Sequence, residues 1–179
     1  MLLRPFSLGD GIDVERLAGV REVADTTLAI PHPYPSGSGA KWIAGHAAEW
    51  ARRANLVLAI CERATPDTLI GAINLHMTLP HAHAEIGYWI GVSSWGRGFA
   101  TEAAKGVVAY AFDELRLHRV QGRHFTRNPA SGRVLQKIGM KQEGIHRDAY
   151  RRFERFEDVA LYAVLEAEWR STQTQRSNS

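Results

Sequence analysis

One turn constrains this chain more than any other segment: Trp95-Gly96-Arg97-Gly98-Phe99-Ala100-Thr101. It joins a strand-like run, Glu85-Ile86-Gly87-Tyr88-Trp89-Ile90-Gly91-Val92, to a helix-like run from Phe99 to Leu115. A glycine turn that opens a helix leaves backbone N–H groups unpaired and pointing outward. With the positive end of the helix dipole, those donors form an anion site suited to a pyrophosphate. The fold must therefore hold strand, turn and helix together, and the turn predicts a phosphate-bearing ligand.

Elimination narrows that ligand. A P-loop needs Gly-x-x-x-x-Gly-Lys-Ser/Thr, and no lysine–hydroxyl pair follows Gly98. A dinucleotide turn needs Gly-x-Gly-x-x-Gly, and Thr101 stands where the third glycine or alanine belongs. Acyl-coenzyme A is the remaining common ligand with a pyrophosphate.

The flanking patterns place the other elements. Met1 to Phe6 reads as a strand and Asp10 to about Val20 as a helix. Pro31, Pro33 and Pro35, followed by Ser36-Gly37-Ser38-Gly39, force a loop. Trp42, Ile43, His46, Ala47 and Trp50 recur at helical spacing, which predicts one amphipathic helix from about Ala40 to Ala54. Strands follow at Leu56 to Glu62, Leu69 to Met77 and Glu85 to Val92, with turns at Pro66-Asp67 and Pro80 to His83. After the Phe99 helix come a strand at Val120 to Phe125 and a helix at Pro129 to Ile138, stopped by Gly139. Strands at Met140 to His146 and Glu157 to Leu165 complete the order β-α-α-β-β-β-α-β-α-β-β. That order predicts an α/β (α+β) domain over residues 1–170: a mixed, mostly antiparallel sheet of about seven strands flanked by helices. Residues 171–179 are polar and are expected to be a disordered tail.

These motifs, in this order, resemble the GNAT superfamily of acyl-CoA N-acyltransferases, and within it the RimJ/RimL branch that acetylates ribosomal-protein N-termini. The superfamily loop is Gln/Arg-x-x-Gly-x-Gly/Ala. Gly98-x-Ala100 matches its second half, and Trp95 replaces the first Gln/Arg, as it often does in RimJ/RimL relatives. Further matches are Leu3-Arg4-Pro5, Ile30-Pro31-His32-Pro33-Tyr34, Gly71-Ala72-Ile73, Leu117-His118-Arg119-Val120 and the run from Asn128 to Met140. The resemblance spans roughly residues 2 to 168. It implies the GNAT fold, acetyl-CoA as cosubstrate, and direct acetyl transfer in a ternary complex to an amine, in this branch a ribosomal-protein N-terminus. The other acceptor reading is a small amine: an amino acid, polyamine or aminoglycoside. A CoA-binding module without catalysis is the reading from a different class.

Amine and thioester each make demands. An attacking amine must be neutral, and α-amino groups have a reference pKa of about 7.7–8.0 against about 10.4 for lysine, so a base helps. Glu85, at the start of the strand leading to the loop, resembles the superfamily's catalytic glutamate; an edge salt bridge is the competing role. In the resemblance Asn128 contacts the pantetheine arm and Ser131 lies near the sulfur, as acid or hydrogen-bond donor; both residue types also suit a helix cap. The thioester oxygen needs a donor, which the resemblance assigns to the backbone N–H of Trp89 or Ile90. The cofactor-binding set is then Trp89, Ile90, Val92, Gly96, Arg97, Gly98, Phe99, Ala100, Thr101, Asn128 and Ser131. The acceptor pocket is expected to draw on His32, Tyr34, Trp42 and Tyr88, with Tyr150 as a further aromatic candidate.

Composition bounds the rest. Apolar residues are 45% and charged residues 23%, ordinary for a globular chain. No apolar run approaches the ~20 residues that span a bilayer, and Arg4, Pro5 and Asp10 interrupt any N-terminal signal core. The single cysteine, Cys61, excludes an intramolecular disulfide, which fits a reducing cytoplasm; its apolar strand predicts a buried thiol rather than an acyl carrier. The net charge of +3 lacks a dense basic block, so no direct nucleic-acid binding is expected. The eight histidines include His76, His81 and His83 but no metal-ligand spacing, so no metal is expected. A homodimer is admitted as the assembly.

Overall fold

A computed structural model describes residues 1–177. Among them, seven strands form one sheet in the order β1-β2-β3-β4-β5-β7-β6. The strands are β1 (Leu2–Arg4), β2 (Asn55–Glu62), β3 (Thr65–Thr78), β4 (His83–Ile90), β5 (Arg119–Phe125), β6 (Lys141–Arg152) and β7 (Arg155–Leu165). The helices are α1 (Gly11–Ala18), α2 (Arg21–Ala24), α3 (Ser38–Ala44), α4 (His46–Ala51), α5 (Phe99–Asp113), α6 (Pro129–Lys137) and α7 (Glu166–Ser177). The expected mixed, mostly antiparallel sheet is present. All neighbours run antiparallel except β4 and β5. That parallel pair needs a crossover, and α5 supplies it.

Two clusters bury the apolar faces. One lies beneath α5 and α6, where Ile73, Leu75, Ile86, Val108, Phe112, Val120 and Leu135 meet. Small residues of α5, Ala103, Ala104 and Ala111, are 0% exposed, so the helix lies close on the sheet. The second cluster joins Val14 and Ile43 to Ala59, Cys61 and Leu69 on the opposite face, with Trp89 packed against it.

Several expected boundaries move. The predicted helix from Ala40 to Ala54 is two helices, α3 and α4, which meet at Gly45. The hairpin expected at Pro66-Asp67 turns earlier: Glu62 already pairs with Thr65 across Arg63 and Ala64. Pro66, which has no N–H to give a ladder, lies within β3 and accepts a hydrogen bond from Arg4 Nε at its carbonyl. The strand expected to reach His146 continues to Arg152. The tail expected to be disordered from Ser171 continues α7 to Ser177 instead. Buried Trp169 packs 6.0 Å from the Phe112 ring, and the hydroxyls of Ser171 and Thr172 donate back to the carbonyls of Ala167 and Glu168. The last two residues, 178 and 179, lie outside the described ones.

The feature that positions the site is a split. β4 and β5 pair only at His83↔Arg119, Ala84↔Val120 and Glu85↔Gln121. Beyond Glu85 and Gln121 the two strands continue without pairing to each other, so the sheet opens between them.

Candidate active site

A cleft of about 940 Å³ runs through this opening. Its lining includes Trp95, Gly96, Gly98, Phe99, Ala100 and Thr101 of the turn, Glu85 at the start of β4, and Tyr34 and Trp42. The turn places its donors as its sequence requires. Gly96 and Gly98 have φ of +74° and +86°, and Gly98 is the N-cap residue just before α5. Its carbonyl accepts the first intrahelical bond, from Glu102 N–H at 3.0 Å. The N–H groups of Phe99, Ala100 and Thr101 therefore have no partner within the helix and face an anion. Trp95 has a local reason to replace a polar residue. Its indole N–H donates to the Ile90 carbonyl at 2.7 Å and ties the turn to the end of β4.

Backbone alternation decides which N–H groups face the split. Gly91 N–H donates to the Ile70 carbonyl at 2.8 Å, and β3 and β4 stay in one register from Gly71↔Ile90 to Thr78↔His83. In an antiparallel ladder, alternate residues exchange bonds with one neighbour. Gly91, Trp89, Gly87 and Glu85 thus turn their N–H and C=O toward β3. Ile90, Tyr88 and Ile86 turn theirs toward the gap. Of the two expected thioester-oxygen donors, Trp89 is committed to β3 and Ile90 faces the opening; Tyr88 joins it. The Trp89 side chain packs on the opposite cluster.

α6 forms the other wall. Asn128 caps it, its Oδ1 accepting Ser131 N–H at 3.3 Å. The Tyr88 hydroxyl sits 2.8 Å from Ser131 Oγ and 3.2 Å from the Ser131 carbonyl. Burial pushes the Tyr88 phenol up to about 12, although the bond to Ser131 pulls the other way, so it is a proton-bearing donor at neutral pH. Tyr88 was expected among the acceptor contacts; its hydroxyl instead meets Ser131. Arg133 and Lys137, exposed on α6, line the same cleft and bring cationic side chains to it; sequence reasoning missed both. Their i, i+4 spacing on the helix after Asn128 was the available signal.

Glu85 lines the cleft from the sheet. Its Oε1 lies 2.8 Å from Arg123 Nε, and Gln121 Nε2 donates to Oε2 at 3.3 Å. Asn55, Asn74 and His76 line the same face; Asn74 donates to Asn55 Oδ1. Nothing in the local sequence marked Asn55, Asn74 or Arg123, and His76 stood out only as one of a group of histidines.

Other expected residues lie apart. His32 donates from Nδ1 to the Gly19 carbonyl at 2.7 Å and does not line the cleft, because the proline loop folds back on the end of α1. Val92 is 43% exposed in a short 3-10 turn and is likewise outside the lining. Arg97 points to Glu62, 2.7 Å away, and lies over the Phe99 ring at 4.7 Å. Tyr150 meets Arg123 through its hydroxyl. Tyr34 and Trp42 line the acceptor end, with Trp42 also packed edge-on to Phe6 at 5.3 Å. Cys61 is fully buried and does not line the cleft, and burial pushes its thiol pKa up. Among the described residues, no cluster of three or more His, Cys, Asp or Glu could hold a metal ion. Nor is any helix among them long and apolar enough to cross a membrane.

A split sheet, an anion-binding turn and one cleft joining that turn to a carboxylate define a site for a phosphate-bearing donor and a second substrate. Comparison with known proteins supplies the family. The chain belongs to the acetyltransferase (GNAT) domain family, which it matches over residues 1–141. It is 40% identical over 104 residues to the probable N-acetyltransferase YjcK of Bacillus subtilis, a match covering 57% of this chain and 58% of that protein. It is 37% identical over 103 residues to the putative ribosomal N-acetyltransferase YdaF of the same organism, covering 57% of this chain and 56% of that one. The chain thus spans under two thirds of the length of these relatives. A solved structure described as a probable acetyltransferase shares 26% identity and a TM-score of 0.83, with 93% of each chain covered.

Proposed function

We propose that this chain transfers the acetyl group of acetyl-CoA directly to a primary amine, and that the amine is the N-terminal α-amino group of a protein such as a ribosomal protein. The cleft through the β4–β5 split carries this reading, because it joins the anion-binding turn to Glu85. The N–H groups of Gly98 to Thr101 bind the pyrophosphate, Arg133 and Lys137 add positive charge, and Asn128 and Ser131 border the pantetheine arm. The acceptor amine enters past Tyr34 and Trp42. Its proton passes through water to Glu85, and the neutral nitrogen attacks the thioester carbon. Negative charge gathers on the thioester oxygen, where the Ile90 or Tyr88 N–H meets it. The C–S bond breaks, the leaving thiolate takes a proton from Ser131 Oγ, and Ser131, with the Tyr88 hydroxyl behind it, is reprotonated through water by the second proton that the acetylated nitrogen sheds. Amide and free CoA are the products. The name of YdaF, a putative ribosomal N-acetyltransferase, supports the acceptor reading.

CoA release from acetyl-CoA, measured with ribosomal-protein N-terminal peptides beside small amines, tests it. Acceptor-dependent release with peptides best is expected, and Glu85→Gln lowers turnover most at acidic pH. Tight acetyl-CoA binding without release on any acceptor would overturn the reading in favour of a binding module.

A further inference from the structure

The acceptor end of the cleft has an unusual charge balance. Among the residues lining the cleft, Glu85 is the one carboxylate. It does not face the cleft as a free anion, because Arg123 Nε pairs with it at 2.8 Å. Arg133 and Lys137 are given to the donor's phosphates in the reading above, which leaves Arg123 as the cation beside Glu85. A polyamine carries several ammonium groups, and each needs a carboxylate or a row of acceptor oxygens when it leaves water. This cleft offers no carboxylate beyond the neutralised Glu85, and its Asn55 and Asn74 amides bring N–H donors as well as oxygens.

Arg123 is built as a reader rather than only a counter-ion. Glu85 holds its Nε edge, and the Tyr150 hydroxyl accepts from Nη1. The guanidinium also lies over the Tyr150 ring at 5.1 Å. Three contacts fix the plane of the fork, while the side chain keeps 36% exposure and lines the cleft. A planar guanidinium immobilised this way has Nη2 donors left to give to a carbonyl or carboxylate oxygen.

Building on the acyl-transfer reading above, we propose that Arg123 is a specificity residue. It selects acceptors whose amine is joined through one carbon to a carbonyl or carboxylate, as in a peptide N-terminus, and it rejects polyamines. Arg123 acts by binding the acceptor's oxygen, and Glu85 holds it in place while serving the amine.

The test compares three acceptors in one enzyme preparation: the dipeptide Ser-Ala, 2-aminoethanol (the same amine without the carbonyl) and spermidine. Wild-type kcat/KM is expected to be highest for the dipeptide and lowest for spermidine. In Arg123→Leu, the dipeptide-to-aminoethanol ratio falls about tenfold or more, the loss expected for one charge-assisted hydrogen bond. Because the ratio is taken within one variant, a smaller folded fraction cancels from it, and a weakened Glu85 base would raise it rather than lower it, since the more basic aminoethanol needs the base more. Arg123→Lys recovers part of the ratio. Spermidine as the best wild-type acceptor, or an unchanged ratio in Arg123→Leu, overturns the proposal while leaving acyl transfer intact. No CoA release with any acceptor, despite acetyl-CoA binding, overturns the acyl-transfer reading and this one with it.

Discussion

Arg152 is the strongest point at which to test how the acceptor side of the cleft is held. It ends β6 and reaches across to the segment after α2. Its Nη2 donates to the Ala24 carbonyl at 2.6 Å and to the Ile30 carbonyl; Nε donates to Ala24 at 3.2 Å and Nη1 to Leu28 at 3.5 Å. Its guanidinium lies over the Phe153 ring at 4.1 Å, and Arg21 covers the same ring at 4.3 Å. Thr26 to Pro31, the stretch these bonds bracket, lines the cleft. Each hydrogen bond to a charged group contributes about 1.5–3 kcal/mol net. Arg152→Met loses the two short Nη2 bonds, to Ala24 and Ile30, which at the lower end amount to about 3 kcal/mol of closure, roughly a hundredfold in the segment's opening equilibrium, with the longer contacts adding little. A segment that opens must close again before the amine binds, so the KM for amine is expected to rise about tenfold. The KM for acetyl-CoA, which binds at the far end, stays within about twofold on the same reasoning. Arg152→Lys keeps the charge but loses the fork and falls between. Steady-state kinetics in both substrates and amide hydrogen exchange across 24–30 read the effect. Wild-type amine KM and protection in Arg152→Met, or equal rises in both KM values, would refute the reasoning.

Two further outcomes follow from named groups. Burial holds the folded-state pKa of His46 below its ordinary value against a weaker opposing pull from Glu49, and neither ring nitrogen has a partner. The unfolded chain then binds the proton more readily near the reference pKa of about 6.5, so stability falls as pH drops through that value toward the folded one. His46 packs 4.4 Å from Trp42 and 5.5 Å from Phe6; His46→Phe is expected to flatten the change in Tm between pH 7.5 and 5.5, and an unchanged slope would assign it to other groups. Gly98→Ala meets no atom within 4 Å, so its effect is confined to a backbone φ of +86°. Left-handed backbone costs a non-glycine residue about 1–2 kcal/mol. Acetyl-CoA binding, measured by calorimetry, is therefore expected to weaken about five- to thirtyfold, and unchanged affinity would show that the turn does not hold the donor.

The anion turn was legible because its requirement is local. A glycine with positive φ before a helix, and N–H groups left free by helix geometry, need no distant partner. The strand and helix order was legible for the same reason, since periodicity repeats within a few residues. Boundaries failed where one residue acts against its neighbours' pattern. Gly45 divides a continuous amphipathic stripe, and β2 and β3 turn at Arg63-Ala64 although Pro66 follows.

What the sequence alone determined is therefore the βα unit with its phosphate turn, the cap at Asn128 and the apolar faces that build the sheet. Tertiary structure decided the rest of the site. Only the three-residue pairing of β4 with β5 opens the cleft, and only the β3 register turns Ile90 rather than Trp89 toward it. Arg152 meets Ala24 across 128 residues, and Arg123 and Tyr150 meet across 27. Such contacts leave no periodic trace. Their geometry is fixed when the sheet brings remote strands side by side, and a chain pattern read over a dozen residues carries no information about which strand will be the neighbour.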